Sequence, residues 1–286
     1  MRHPPAKSAV IALSEARHLA SRAYHRGRVV RGRLRGGRDW RGVRILAYHR
    51  IADERDVSCV TPAAFEAQMR AVARMDAEPI RLDAALDLLD RPVTSRYIAV
   101  TFDDGYHDNL TAALPVLERH GIPATIFVAS SIIDGTSTYH WYRDPPRALA
   151  WDEIRDLVAG GLVDVQAHTR SHPRLPWVDD ARAEDEIAGS KHDIEAQVGY
   201  ALTSLSYPHG QYGAREVALV RAAGYRAGVT TDNGVNEGGG SPDELRRTFV
   251  SGTDGDRDFE ARLTGLLDHD DVVQRWLKRR RARPPA

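Results

Sequence analysis

Three polar clusters in this sequence contain residue types that can carry out hydrolytic chemistry, and each follows an apolar segment. The first contains the adjacent carboxylates Asp103 and Asp104, and the second contains His168 and His172, four residues apart. Two histidines at this spacing can converge on one metal ion from a helical turn or a tight loop, and Pro173 after them favours the loop. Since neighbouring side chains of extended chain point in different directions, one carboxylate can bind the same ion while the other stays free as a base.

Together these residues form a minimum set for metal-assisted hydrolysis. One Asp and two His leave open positions on an ion that lowers the pKa of a bound water to about 7 and polarises the scissile carbonyl. The second Asp can then accept the proton of that water. Each motif alone has a structural alternative: an Asp-rich turn that caps a helix, or two surface histidines in a chain that has 12. Two histidines and one carboxylate could also hold Fe(II) in an oxygenase, although such oxygenases typically have antiparallel double-sheet folds.

The third cluster reads Ser-Tyr-Pro-His-Gly-Gln-Tyr over residues 206–212. Aromatic residues with Pro and Gly form a rigid turn that can wall a pocket, and backbone N–H groups there could hold an oxyanion. We predict that Tyr207, Pro208, His209 and Tyr212 line the pocket. An ordinary turn is the alternative.

The elements that must position these clusters alternate between strand and helix. The predicted strands are 43–51, 97–102, 122–130, 162–168, 201–208 and 225–231, and the predicted helices are 61–75, 81–90, 107–120, 151–161, 183–199 and 214–224. Thr61 is the expected N-cap of the first helix, with Pro62 at its first position. The alternation predicts an α/β fold with βαβ units around a parallel sheet or barrel, whose carboxyl edge is where active sites form.

Charge is segregated along the chain, although the formal net charge is zero. The net charges are +10 over 1–44, −16 over 45–274 and +6 over 275–286. We predict one domain over 42–268, a basic, partly disordered or helical extension over 1–41, and a basic tail over 269–286. The single cysteine, Cys59, excludes an intramolecular disulfide and a Cys-based zinc cluster. No segment approaches the roughly 18 apolar residues of a membrane span.

In order along the chain, TFDDGY, HTRSH and YPHGQY resemble the first three motifs of the polysaccharide deacetylase family. This family is also called the NodB homology domain, or carbohydrate esterase family four. The resemblance runs from LAYHRI near residue 46 through LRRTFV at 245–250. It implies a distorted (β/α) barrel and the hydrolytic removal of N-acetyl groups from an acetylated amino sugar, usually N-acetylglucosamine within a glycan.

The resemblance also implies residue roles. Asp103 would be the catalytic base, and Asp104, His168 and His172 would bind a divalent metal, usually zinc, with cobalt, nickel or another divalent ion as alternatives. Two features depart from the family pattern. The third motif lacks the Arg that orients the base in many members, so that role is vacant or filled from elsewhere. The late Leu-x-His motif that supplies the general acid is missing, and His269 is the only histidine after the third motif.

Tyr48-His49-Arg50 offers a replacement for the missing acid. In the branch of the family that acts on poly-N-acetylglucosamine exopolysaccharides, a histidine in a similar first-strand motif is thought to act as the acid. This chain looks like that branch, because FEAQMRAV follows the motif. An imidazolium at His49 could stabilise the oxyanion and protonate the leaving amine; the alternative is a buried histidine bonded to a neighbour. Candidates for stacking on sugar rings, with packing as the alternative for each, are Trp141, Tyr142, Trp151 and Trp177.

We therefore predict a metal-dependent hydrolase that removes N-acetyl groups from an amino-sugar glycan or glycan precursor. The alternatives are a catalytically silent glycan- or metal-binding module of the same fold, and an esterase or amidase on another substrate. The expected partner is an amino-sugar glycan or oligosaccharide and not a nucleic acid, with peripheral membrane contact through the basic tails. Since no export signal is recognisable in the chain, we expect a cytoplasmic or peripheral membrane location.

Overall fold

The structure, a computed structural model, describes residues 39–268. His269, the tail over 269–286 and most of the extension over 1–41 lie outside the described residues, so membrane contact through these tails stays a prediction. Among the residues that the structure describes, no helix has the length and apolar character needed to cross a membrane.

A parallel sheet that curls into a nearly closed barrel forms the centre of the fold. Its strands are β1 (Gly42–Tyr48), β4 (Glu78–Pro79), β5 (Arg96–Phe102), β6 (Ala124–Val128), β7 (Val163–Ala167), β8 (Ser204–Ser206), β9 (Ala227–Val229) and β10 (Arg247–Phe249), and β2 (Arg50–Ile51) pairs separately with β3 (Cys59–Val60). The sheet order is β10-β1-β5-β6-β7-β8-β9, with β4 also paired to β5. Leu245, just before β10, bridges Val229 of β9 in parallel and so brings the two edges together. The predicted distorted (β/α) barrel is confirmed.

Helices connect the strands, as the alternating pattern predicted. They are α1 (Pro62–Ala73), α2 (Leu82–Leu89), α3 (Leu114–His120), α4 (Ser130–Ile133), α5 (Trp151–Ala159), α6 (Asp180–Glu184), α7 (Ser190–Val198), α8 (Ala214–Ala222) and α9 (Asp256–Leu263). The Thr61 hydroxyl caps α1 by accepting a hydrogen bond from the Ala64 N–H at 3.2 Å, and Pro62 is the first helical residue. The predicted start of α1 is therefore confirmed.

The two faces of the strands build two separate apolar layers. Val43 and Ile45 of β1 pack in one cluster with Val229 of β9 and with Leu82 and Leu86 of α2. Residues from strands that are distant in the sheet meet there, so this cluster fills the barrel interior, and α2 packs against it near the strand starts. The alternate residues of β1 face outward towards the surrounding helices. The polar clusters lie at the opposite end of the barrel, where the strands end.

Two predicted helices contain a π-helical turn, and both turns support the loops of the polar clusters. The predicted helix 107–120 begins as a π-helix over Asn109–Ala113, and the Asn109 amide donates to the His49 carbonyl at 2.8 Å. The predicted helix 183–199 is interrupted by a π-helix over Asp185–Gly189, whose buried Glu186 accepts a hydrogen bond from the Ser171 N–H at 2.8 Å. Such π-turns commonly occur at functional sites.

Candidate active site

The polar clusters meet at one edge of the barrel because its strands are parallel and all end there. His49 directly follows β1, Asp103 follows β5, His168 follows β7 and Tyr207 follows β8. The Asp103 N–H donates to the Tyr48 carbonyl at 2.9 Å, which extends the β1–β5 pairing to the start of the first cluster. This is the edge at which (β/α) barrels carry their active sites.

Asp104, His168 and His172 form a buried group that could hold a metal ion. One potential ligand atom from each lies within 4.8 Å of the others. Asp104 Oδ1 is 3.6 Å from His168 Nε2 and 3.6 Å from His172 Nε2. These separations are too long for hydrogen bonds, whereas two ligands at about 2.1 Å from one tetrahedral ion lie roughly 3.4 Å apart. The geometry therefore suits one shared ion.

Hydrogen bonding around the triad leaves its ligand atoms available to an ion. His168 Nδ1 lies 2.7 Å from the carbonyl oxygen of Ser206. Since a carbonyl can only accept, the proton is on Nδ1 and the Nε2 lone pair faces the triad. Asp104 Oδ1 is buried with no hydrogen-bond partner among the described residues. A buried carboxylate oxygen without a partner is costly, and a divalent cation would satisfy it.

Backbone strain is concentrated at this edge. The non-glycine residues with positive φ in the described range are Asp104 (75°), Thr169 (65°), His172 (57°) and His209 (58°). Each such conformation costs about 1–3 kcal/mol and persists where the surroundings enforce it, commonly at active sites. Gly105 (φ 71°) is also required, since a Cβ there would lie 2.9 Å from Val128 Cγ1. The turn that directs Asp104 towards the histidines thus depends on its neighbour being glycine.

Asp103 is paired with the guanidinium of Arg247. The ion pair is bidentate, with Nη1 2.6 Å from Oδ1 and Nη2 2.6 Å from Oδ2, and both side chains are buried. Although burial alone raises the pKa of a carboxyl group, the charge of Arg247 holds the pKa of Asp103 well below its ordinary value. Asp103 is therefore ionised and fixed in orientation beside the triad.

Contacts from several strands hold Arg247 in place. Its Nε donates to the Thr230 carbonyl at 2.8 Å and its Nη2 to Ser206 Oγ at 2.9 Å, while its Cζ lies 5.4 Å from the centre of the Phe127 ring. The motifs left open which group would orient Asp103, and the structure places Arg247 of β10 against it. The sequence signal for this residue is weak: an arginine inside a short strand that otherwise carries no charge.

Replacing Arg247 by Met should leave the buried Asp103 carboxylate without its partner. We expect the free energy of unfolding to fall by about 3–5 kcal/mol. In the Asp103→Asn background the same substitution should cost much less, because no buried carboxylate is left unpaired. Chemical denaturation of the four proteins measures both values, and equal losses in the two backgrounds would contradict the assigned pairing.

His49 lies at the same edge, half-buried beside both carboxylates. Its charge would interact with Asp103 and with Asp104, and its ring centre is 5.5 Å from that of Phe249 at the end of β10. His49 Nδ1 is buried, and no described residue makes a hydrogen bond to it. The structure therefore places His49 within the site, and no neighbour among the described residues occupies that nitrogen.

The third cluster is divided between the core and the surface, and Tyr207 belongs to the core. Strand side chains alternate, so Ser206 points inward to Arg247 while Tyr207 points outward. The Tyr207 ring is completely buried and stacks on Tyr212, with ring centres 4.6 Å apart. Its hydroxyl donates to the Asp243 carbonyl at 3.1 Å. The prediction that Tyr207 lines the pocket is therefore wrong for this structure.

His209 is the member of the third cluster that borders the triad. Its side chain is exposed, and its ring centre is 4.5 Å from that of His172. Pro208, beside it, is buried and is the first residue of the short 3₁₀ helix Pro208–Gly210, which contains His209. The cluster thus supplies one accessible side chain next to the candidate metal ligands.

Comparison with known proteins agrees with this geometry. The family described as polysaccharide deacetylase matches residues 90–228, a range that holds both carboxylates, both histidines of the triad and the third cluster. The chain contains a polysaccharide deacetylase domain. Deacetylases of this family are metalloenzymes, and the buried Asp104-His168-His172 triad of this chain fits that property.

Relatives of this chain align with it over part of their length. YxkH of Bacillus subtilis strain 168, a protein named for the same family, is 29% identical over 192 residues, which are 66% of this chain and 64% of that protein. The poly-beta-1,6-N-acetyl-D-glucosamine N-deacetylase of Staphylococcus epidermidis is 23% identical over 180 residues, which are 60% of this chain and 61% of that protein. The chain therefore spans slightly less than two thirds of either relative.

A solved structure supports the fold of this chain. IcaB from Ammonifex degensii superposes with a TM-score of 0.68 at 20% identity, covering 80% of this chain and 98% of that chain. At 20% identity, this similarity shows the fold alone. The predicted polysaccharide deacetylase barrel is thus confirmed by both its topology and its neighbours.

Proposed function

We propose that this family member removes N-acetyl groups from an N-acetylated amino-sugar glycan or glycan precursor, with a divalent metal ion held by Asp104, His168 and His172. The observation that carries the proposal is a second carboxylate, Asp103, which Arg247 keeps ionised directly beside the triad. A catalytically silent module would need metal ligands or a sugar-binding surface. It would not need a buried, oriented carboxylate next to them. The Asp103–Arg247 ion pair therefore favours an enzyme.

Each residue has one task in the proposed hydrolysis. A divalent cation at the triad, zinc by the nitrogen-rich ligand set, would polarise the acetyl carbonyl and acidify the attacking water. Asp103 accepts the proton of that water, since Arg247 holds it ionised and aimed at the site. His49, as imidazolium, donates a proton to the amine nitrogen as the C–N bond breaks. The products are acetate and a glycan with a free amine.

The proposed substrate class is an oligosaccharide or polymer of N-acetylglucosamine. Two observations support it: the Tyr48-His49 motif at the end of β1, and the similarity to the Staphylococcus epidermidis protein named for poly-β-1,6-N-acetylglucosamine. The position of His49 beside both carboxylates is consistent with the role of acid that the motif implies. The linkage that the enzyme accepts is part of the proposal and is decided by assay.

Protein reconstituted with zinc or cobalt should release acetate from N-acetylglucosamine oligosaccharides, and a chelator should abolish the release because the triad supplies the ion. The assay panel contains β-1,6- and β-1,4-linked oligosaccharides, a lipid-linked N-acetylated sugar and acetylated xylan. Acetate from xylan alone would replace the proposal with an esterase. Binding of metal and oligosaccharide without acetate from any member of the panel would favour the catalytically silent module.

A further inference from the structure

We propose that Trp141 is the sugar-binding platform of this site: the exposed face of its indole ring stacks against a pyranose ring of the substrate next to the triad. The inference deepens the proposed function and rests on it. It assigns selectivity for cyclic amino sugars over small acyclic amides to one side chain. Trp141 belongs to the segment between α4 and α5, outside the three motifs.

Trp141 combines exposure with closeness to a candidate metal ligand. The residue is 40% exposed, and its ring centre is 4.6 Å from that of His172. Most large apolar side chains of the described range are buried instead in the barrel core. An indole ring that stays in water at the rim of a metal site is a surface that a ligand can cover.

The orientation of Trp141 is fixed before any ligand binds. Its Nε1 donates to the Tyr106 hydroxyl at 3.3 Å, and its ring packs against Tyr139, with ring centres 5.5 Å apart. Tyr139 in turn donates to the Asp104 carbonyl at 3.1 Å. These contacts connect Trp141 to the turn that carries Asp104. They therefore hold the indole ring at a fixed distance from the triad. Such preorganisation lowers the entropy cost of binding.

The chemistry of the exposed surface selects the ligand class. The single polar atom of the indole already donates to Tyr106, so the rest of the indole surface is apolar. The C–H groups on one face of a pyranose ring can cover it. A small acyclic amide has no comparable flat face and would gain little there. The three remaining aromatic candidates differ. Trp151 bonds to Asp134 through its Nε1. Arginines lie over the other two rings, with Arg50 Cζ 6.0 Å from the ring centre of Tyr142 and Arg174 Cζ 4.9 Å from that of Trp177.

The test measures binding without turnover. In the metal-loaded Asp103→Asn background, isothermal titration calorimetry with the tetrasaccharide of N-acetylglucosamine should show Trp141→Ala weakening affinity by about tenfold or more. Trp141→Phe, which keeps a flat ring, should lose only about threefold. Trp177→Ala is the matched control, since Trp177 is 45% exposed and its ring pairs with Arg174. This variant should change affinity less than about twofold.

Two results separate the platform from the proposed function. Unchanged affinity in Trp141→Ala, or equal weakening in Trp141→Ala and Trp177→Ala, would overturn the platform while sugar binding stands. No binding of any N-acetylated oligosaccharide by the metal-loaded protein would overturn both. As a second readout, Trp141→Ala in the active protein should raise KM for the tetrasaccharide by a larger factor than it lowers kcat.

Discussion

Asp103→Asn should lower kcat for acetate release by roughly 10³-fold, while the zinc content per chain stays that of the wild type. The asparagine has nearly the same shape and can still accept a hydrogen bond from Arg247, but it cannot take a proton from water at neutral pH. The ligand atoms of Asp104, His168 and His172 are untouched by the change. Acetate quantification together with elemental analysis of the dialysed protein gives both numbers.

The matched control for this prediction is Asp268→Asn. Asp268 also forms a bidentate pair with a buried arginine, with Arg44 at 3.0 and 2.8 Å, but Arg44 lies near the start of β1, away from the carboxyl edge. The Asp268→Asn protein should have a lower free energy of unfolding than the wild type, without a specific loss of kcat. If Asp103→Asn retained near-wild-type turnover, the assignment of Asp103 as base would be wrong. If it lost its zinc as well, Asp103 would belong to the metal site.

His168→Ala should remove the metal and, with it, the activity. Loss of a group that merely orients a ligand already weakens metal binding about 10–100-fold, so loss of the ligand itself should cost at least about 100-fold. The substitution removes the whole imidazole, so both the ligand atom and the hydrogen bond to the Ser206 carbonyl that orients it are lost. Competition with a zinc-sensitive dye measures the dissociation constant directly.

His120→Ala serves as the comparison for the His168 variant. His120 lies at the end of α3 and pairs with Glu66 at 2.8 Å, away from the strand ends that carry the triad. Its loss should leave zinc affinity and acetate release within about twofold of the wild type. A His168→Ala protein that bound zinc as tightly as the His120→Ala protein would show that Asp104, His168 and His172 are not the ligand set.

The barrel and the candidate metal group could be predicted from local sequence. Each of Asp103, Asp104, His168 and His172 directly follows or lies just beyond a strand that is recognisable by its apolar run. Alternation of such strands with helices implies parallel pairing. Parallel strands present their carboxyl ends at one edge, so residues about 65 positions apart in sequence are brought together without knowledge of any single contact. The roles of these residues stay proposals, but their proximity followed from the pattern.

Other parts of the site were decided by the tertiary structure alone. The chain carries two adjacent arginines, Arg246 and Arg247, and strand alternation lets only one of them face the barrel interior. Which one does so depends on the register of β10 against β1 and on the bridge between Leu245, before β10, and Val229 of β9. The same alternation sends Tyr207 into the core although its motif suggested the pocket.

The physical reason is the range over which each feature is determined. Capping, strand ends and turn glycines depend on neighbours in the chain, so residue types alone specify them. The Asp103–Arg247 pair joins residues 144 positions apart, and Trp141 reaches His172 across the segment that contains α5 and β7. Such contacts exist only after the sheet has closed and the connecting segments have packed. The sequence by itself therefore determined the barrel and the triad, and the closed barrel decided which side chain pairs with Asp103 and which aromatic ring lies against the triad.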